Sequence, residues 1–358
     1  MTSSRAHRRF RTSRPVLTGA LVLCAAAGLG VIVAASLTGD RAHSAGGRAA
    51  AGATTRAAPP TQAPAPPATT ATATSTTSTS APPPPSGPPY PIEDQTIVLD
   101  DPTRATPARG PVAATPGRVL RTIIRRPVGV PGPLPLVVFA HGYNSEPETY
   151  EPLLDAWAQA GYLVAAPECP GSAKDLPGTP VPDYAAQARD VSFVITSLLG
   201  GRAGPVDPAE IAVAGHSDGG TAVTIMALNA AYADPRVKAY LNMAGQIPPD
   251  VPGPWATSPA SGALLVAVGS QDEYGNLALS TAMFDAAKMP KALLVVPGGD
   301  HIDTFLASSP TAQAVRAATT RFLALAFAGT SRVFTPTQLQ DAVEGPGSAP
   351  PFSVSVGD

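Results

Sequence analysis

Ser217, Asp272 and His301 are the residues of this chain whose types, order and surroundings fit acyl transfer. Ser217 lies in Gly215-His216-Ser217-Asp218-Gly219-Gly220, between the apolar run Ile211-Ala212-Val213-Ala214 and the helix-like Thr221-Ala222-Val223-Thr224-Ile225-Met226-Ala227-Leu228. That reads as a strand, a G-x-S-x-G turn and a helix. A serine on such a turn is pushed out of the sheet edge, and small flanking residues let the backbone turn tightly. The helix N-terminus adds positive potential. A hydroxyl still needs a base to take its proton. Of five histidines, His7 and His43 lie in or beside an N-terminal targeting segment, His141 precedes the serine and His216 adjoins it. His301 alone follows the serine, in Gly298-Gly299-Asp300-His301 after the apolar run 293–296. A base in a loop after a late strand, with the acid between it and the serine, is the order that strand–turn–helix nucleophiles use. Asp272 follows the apolar run 264–269 and is the expected acid, holding the imidazole; Glu273 beside it is the alternative. Asp300 and Asp303 are expected to serve their own loop.

An acyl-transfer site also needs donors for the oxygen that gains charge. One is expected from the backbone N–H of Asp218, the residue after the nucleophile. The other is expected from Tyr143, in the loop His141-Gly142-Tyr143-Asn144 that follows Pro135-Leu136-Val137-Val138-Phe139-Ala140. His141 reads as a packing and hydrogen-bonding residue. The loops 168–183 and 245–261 are expected to shape the substrate site, with Tyr143 and Trp255 lining it, joined by Tyr184 and Ile247. Asp218 is the one residue that looks wrong for the chemistry, because a carboxylate aimed at the oxyanion would oppose it. Its side chain is expected to turn away, toward the helix start or a neighbouring loop. No His, Asp or Glu cluster has metal spacing and no phosphate loop is present, so neither a metal nor a cofactor is expected.

Positioning these residues requires a sheet. Apolar runs that read as strands fall at 96–99, 119–124, 134–140, 162–166, 211–214, 237–243, 263–268 and 292–296. Several are continuous rather than alternating, as strands buried on both faces require. Helical patterns fall at 148–160, 184–199, 219–231, 280–287 and 311–328. Strand and helix alternate from residue 134 onward, which predicts an α/β fold: a mostly parallel sheet with helices on both faces and its site at the strand C-termini. The tail 331–358, with Pro336, Gly345, Pro346 and Gly347, is expected to lie on the surface or to be disordered.

With these segments on the page, the chain resembles exported bacterial α/β hydrolases of the dienelactone-hydrolase-like and platelet-activating-factor-acetylhydrolase-like group, related to cutinase-type polyester hydrolases. The resemblance rests on the runs 135–143 and 161–167, the turn 215–220, Gln271-Asp272 and Gly298-Gly299-Asp300-His301, and extends over about 98–329. It implies the α/β-hydrolase fold with a sheet of about eight strands, a Ser-His-Asp triad and ester hydrolysis. By position those roles fall on Ser217, His301 and Asp272, with Tyr143 and Asp218 at the oxyanion. Relatives often carry Leu or Met after the serine, where this chain carries Asp218.

Composition places the folded part within a longer exported chain. The 358 residues carry a net charge of −2, and the basic residues that cluster (Arg5, Arg8, Arg9, Arg11 and Arg14) stand at the N-terminus. No basic stripe is left for nucleic acid. The apolar stretch 16–37 is long enough to span a bilayer, so residues 1–44 are expected to be a membrane anchor with the positive flank inside. A cleaved signal is the alternative, and it too exports the domain. Residues 45–91 read as a Pro/Thr/Ala-rich disordered linker and 92–330 as the hydrolase domain. Of two cysteines, Cys24 lies in the anchor, which leaves Cys169 without a partner. The expected function is a carboxylic-ester hydrolase acting on a small-molecule or polymeric ester. A peptidase or acyltransferase would use the same residues, and a non-catalytic envelope binding protein is the alternative from another class. Oligomeric state is not legible.

Overall fold

The computed structural model describes residues 89–177, 183–255, 262–328 and 353–357. The expected anchor 1–44, nearly all of the linker, and residues 331–352 of the tail lie outside the described residues. Among the described residues no helix is long and apolar enough to cross a membrane.

The chain runs β1 (Ile92–Asp101), β2 (Arg118–Pro127), β3 (Leu134–Ala140), a 3-10 turn (Pro147–Tyr150), α1 (Glu151–Gln159), β4 (Leu163–Pro167), α2 (Tyr184–Leu199) and β5 (Val206–His216). It continues through α3 (Asp218–Leu228), β6 (Val237–Met243), β7 (Ala263–Gly269), α4 (Leu277–Ala286), β8 (Lys291–Val296), α5 (Asp303–Leu306), α6 (Pro310–Phe327) and β9 (Ser353–Gly357). The strands form one sheet in the order β1-β2-β4-β3-β5-β6-β7-β8-β9. β4, β3, β5, β6, β7 and β8 run parallel, while β1, β2 and β9 are antiparallel to their neighbours. This is the α/β-hydrolase fold.

The continuous apolar strands bury both faces, and the two-residue period divides their side chains between two cores. Leu136, Val138, Val213 and Val266 pack with α2, α3 and α4 on one face. Val137, Phe139, Ala214 and Leu265 pack with α1, α5 and α6 on the other. Trp157 of α1 is fully buried there, and its indole N–H donates to Thr319 Oγ1 of α6 at 3.1 Å. Helix starts follow side-chain capping. Asn276 accepts from Ala278 N at 2.8 Å to open α4, and Ser309 accepts from Ala312 N at 3.1 Å before Pro310 of α6. Under the α2 face, Arg118 bonds both oxygens of the fully buried Asp190 at 2.8 and 2.6 Å and reaches Asp183 at 2.9 Å. These carboxylates hold the guanidinium charge far above any pH at which it could titrate, against the cost of burial.

All eight expected strands are present in the mostly parallel sheet, and a ninth joins them among the described residues, because Ser353–Gly357, inside the expected tail, pairs with β8 from Lys291↔Gly357 to Val295↔Ser353. An edge strand met after a long Pro- and Gly-containing stretch gives only a short Ser/Val alternation, which composition around it masks. The helix expected over 148–160 opens as a 3-10 turn before α1, with Pro152 in the first turn of α1. The helix expected to begin at 280 begins at Leu277, where its Asn276 cap sets it.

Candidate active site

Four loops at the C-terminal edge of the parallel strands converge, as such sheets dictate. Ser217 follows β5, the 141–144 loop follows β3, Asp272 follows β7 and His301 follows β8. Ser217 holds φ 57° and ψ −120°, a left-handed conformation that costs a non-glycine residue about 1–3 kcal/mol. Its surroundings over-determine it. Ser217 N–H donates to Met243 O of β6 at 2.9 Å, and Ser217 O accepts from Thr221 N–H of α3 at 2.8 Å. The flanking glycines are required by space: a Cβ on Gly215 would stand 2.2 Å from Gly219 O, and one on Gly219 2.0 Å from Ala140 O. The turn therefore closes backbone to backbone, and the serine side chain is left outside it.

The structure brings Ser217, His301 and Asp272 into one hydrogen-bonded line. His301 Nε2 lies 2.9 Å from Ser217 Oγ, and His301 Nδ1 lies 3.0 and 2.9 Å from the two oxygens of Asp272. Asp272 is buried, and its Oδ1 also accepts from Tyr274 N–H at 2.8 Å and Gly275 N–H at 2.5 Å. Burial pushes its carboxyl up, but the bonds and charge of His301 together with the two backbone donors outweigh burial and hold it below the ordinary carboxylate value. An ionised acid fixed to Nδ1 leaves Nε2 to accept the Ser217 proton. Glu273, the alternative acid, is exposed.

The 141–144 loop reaches the serine. A Cβ on Gly142 would stand 3.2 Å from Ser217 Cβ and 3.0 Å from Tyr150 Oη. The N–H groups of Tyr143 and Asp218 have no acceptor among the described residues, as an anion site beside Ser217 would need. Below them, fully buried His141 accepts from Cys169 N–H through Nε2 at 2.8 Å, so its Nδ1–H donates to Gly142 O at 2.8 Å. Cys169 is also fully buried, and burial pushes its thiol well above the usual range, which keeps it unreactive.

Asp218 departs from expectation. Its carboxylate accepts no hydrogen bond among the described residues, neither from the first turn of α3 nor from a loop. Burial and the charge of Asp183 raise its carboxyl to about 6, although His301 opposes the rise. The backbone of Trp255 bridges Asn229, past the C-terminal end of α3, and its indole N–H donates to Val251 O at 3.0 Å. Ser217 stands at the opposite end of that helix, about 16 Å away by helical rise. Trp255 packs on the α2–α3 core.

Tyr184 donates to Asp250 Oδ1 at 2.5 Å, and Ile247 is exposed next to Gln246, which bonds Thr221 Oγ1 through its N–H and the Tyr274 carbonyl through its side chain. Sequence reasoning missed Tyr274, whose exposed ring lies 5.1 Å from that of His301. It also missed Arg109, in the excursion between β1 and β2, which donates to Tyr143 Oη at 2.8 Å and to the Gly171 carbonyl. Tyr274, two residues past the acid, was within reach of a motif reading. Arg109 and Tyr143 are 34 residues apart and carry no shared pattern. Among the described residues no group of three His, Cys, Asp or Glu is placed to hold a metal ion.

Fold and site geometry agree: the chain has the α/β-hydrolase fold, with Ser217, His301 and Asp272 hydrogen-bonded in line at the C-terminal edge of its sheet. A family model described as chlorophyllase matches residues 111–248, from the β1–β2 excursion to the loop after β6. The matched stretch carries Ser217 and the 141–144 loop and ends before Asp272 and His301. No curated protein matches the chain.

Proposed function

We propose that the protein is a serine hydrolase that cleaves carboxylic esters through an acyl-enzyme on Ser217. The observation that supports this reading is the line Ser217 Oγ–His301 Nε2–His301 Nδ1–Asp272, with contacts of 2.9, 3.0 and 2.9 Å, beside two unused backbone N–H groups. Ser217 Oγ attacks the ester carbonyl while His301 Nε2 takes its proton. The carbonyl oxygen gains negative charge and accepts hydrogen bonds donated by the N–H groups of Tyr143 and Asp218. His301, now positive and facing ionised Asp272, returns the proton to the leaving alcohol as the C–O bond breaks. Water then gives a proton to His301 and its oxygen to the acyl carbon. Collapse releases the acid, and Ser217 recovers its proton from His301.

The reading includes export. The Arg-rich start and the apolar stretch 16–37 suit a tether that holds the domain outside the cytoplasmic membrane, with residues 45–91 as spacer. Full-length protein is then expected in the membrane fraction; a mature N-terminus near residues 36–46 by mass spectrometry would replace the anchor with a cleaved signal.

The function is tested at Ser217. A fluorophosphonate probe should label Ser217 of the full-length protein, and Ser217→Ala should lose p-nitrophenyl ester turnover by roughly a millionfold, the scale for a triad nucleophile. Activity within tenfold of wild type in a folded Ser217→Ala protein rejects the reading. A panel of esters and peptides assayed alongside separates an esterase from a peptidase on the same triad.

A further inference from the structure

The loops that carry Gly142 and His301 leave the sheet three strands apart, since β5, β6 and β7 lie between β3 and β8. Something must hold them at a fixed separation across Ser217. The ring of His216, 1 % exposed at the end of β5, lies between them. Its centroid is 4.8 Å from that of His301, 5.7 Å from that of Tyr150 and 5.1 Å from that of Phe305. His216 Nε2 is 2.8 Å from the His301 backbone oxygen, and Nδ1 is 3.0 Å from Tyr150 Oη. Tyr150 Oη is in turn 3.0 Å from Gly142 N.

The donors fix the direction of this chain. Gly142 N–H can only donate, so Tyr150 Oη accepts there and its own proton goes to His216 Nδ1. The carbonyl of His301 can only accept, so the single proton of His216 sits on Nε2. Every polar atom is then satisfied with a neutral imidazole and a neutral phenol. Burial and the neighbouring His301 push His216 down to about 3, and burial raises Tyr150 to about 12, so neither charges in the working range.

We propose that His216 and Tyr150 are positioning residues: the hydrogen-bonded chain Gly142 N–H to Tyr150 to His216 to His301 C=O sets the oxyanion loop and the base loop in register on either side of Ser217. This rests on the assignment of Ser217 and His301 as nucleophile and base. Neither Tyr150 nor His216 touches the reacting atoms. Their effect runs through the placement of Gly142-Tyr143 and of the His301 backbone, and a misplacement of about 1 Å in such groups is enough to cost turnover about a hundredfold.

The test uses full-length protein. Tyr150→Phe deletes one oxygen and keeps the ring, which packs 4.6 Å from that of Phe139. It should lower kcat about ten- to a hundredfold with KM within about threefold, and slow fluorophosphonate labelling of Ser217 in parallel. His216→Phe should do the same. The double variant should fall no more than about threefold below the worse single one, because both break one chain. A lower Tm with unchanged kcat and labelling rate for Tyr150→Phe, or effects that multiply in the double variant, overturns the proposal. Should His216→Phe fail to fold, Tyr150→Phe decides alone by the same two rates. Ser217→Ala separates the premises: retained activity there rejects the nucleophile, whereas an inactive Ser217→Ala beside a fully active Tyr150→Phe rejects only the chain.

Discussion

The turn after β7 and the start of α3 each bring an aspartate to the Ser217–His301 pair, and the two could hardly be treated more differently. Asp272 is buried, faces His301 with both oxygens and receives two backbone N–H groups. Its charge is matched, and its carboxyl sits below the ordinary value. Asp218 is half-buried and receives no hydrogen bond among the described residues, and burial, joined by the charge of Asp183, raises it to about 6. It even stands in the first turn of a helix, where the dipole favours an anion. Burial and a like charge outweigh that favour. The same side chain is a fixed anion in one place and a group poised near neutrality in the other, and the difference lies in donors, not in distance from Ser217.

The strongest way to break this comparison is to neutralise each acid. Asp272→Asn keeps the shape but offers His301 Nδ1 a different partner, and the tautomer that leaves Nε2 free is no longer enforced. Turnover of a p-nitrophenyl ester should fall about ten-thousandfold, as it does for a triad aspartate of this kind. Glu273→Gln, one residue on and exposed, should stay within about twofold at equal stability, because an exposed side chain that touches nothing in the site has little to lose. If the glutamine variant is the more damaged, the acid has been misassigned.

How far the sequence carried this reading follows from which forces act locally. The strand–turn–helix around Ser217 is written in contiguous residues, so its glycines, its apolar run and its position at the sheet edge were all legible. The order of Asp272 and His301 was legible for the same reason, each standing directly after a continuous apolar run. The partners of Trp255 were not legible, because a large aromatic beside a loop looks the same in sequence whatever it bonds, and here it bonds Val251 and packs on the core. The chain through Tyr150 and His216 was invisible because its links are 8, 66 and 85 residues apart. β9 was hidden because pairing to β8, rather than any strong local pattern, makes Ser353–Gly357 a strand.

A smaller effect sharpens the contrast through pH. Asp272 has its folded value below the unfolded one, so its contribution to stability is present above about 3.8 and disappears as pH falls through the folded value. Asp218 has its folded value raised to about 6, so the folded state holds a proton that the unfolded state has lost. Its contribution is full below about 3.8 and is lost as pH rises toward 6. The thermal midpoint of Asp218→Asn relative to wild type should therefore climb between pH 4 and pH 6 and level off above. That of Asp272→Asn should be depressed at pH 7, with the deficit shrinking only below about pH 3.8. Parallel curves for the two variants would erase the distinction between the sites.

The smallest expected effect is that of Asp218→Asn on turnover, and two opposed electrostatic contributions are the reason. An ionised Asp218 opposes the negative charge that grows on the carbonyl oxygen as it becomes tetrahedral. The same carboxylate favours the positive charge that His301 takes from Ser217, consistent with the attraction between these two groups. One contribution slows the step and the other speeds it, and both vanish together on substitution. The backbone N–H that would bind the oxyanion is kept by Asn. Since losing such a donor outright costs roughly a hundred- to a thousandfold, a change that spares it should stay below about tenfold in kcat. Whatever change remains should appear at pH 8, where Asp218 is ionised, and fade toward pH 5, where it is protonated and resembles Asn in charge. Measuring kcat for both proteins across that range decides the matter. A hundredfold change at pH 8 with the fold intact would mean that the carboxylate itself takes part in the chemistry, and a tenfold or larger change that persists at pH 5 would mean that its shape, not its charge, is what the site uses.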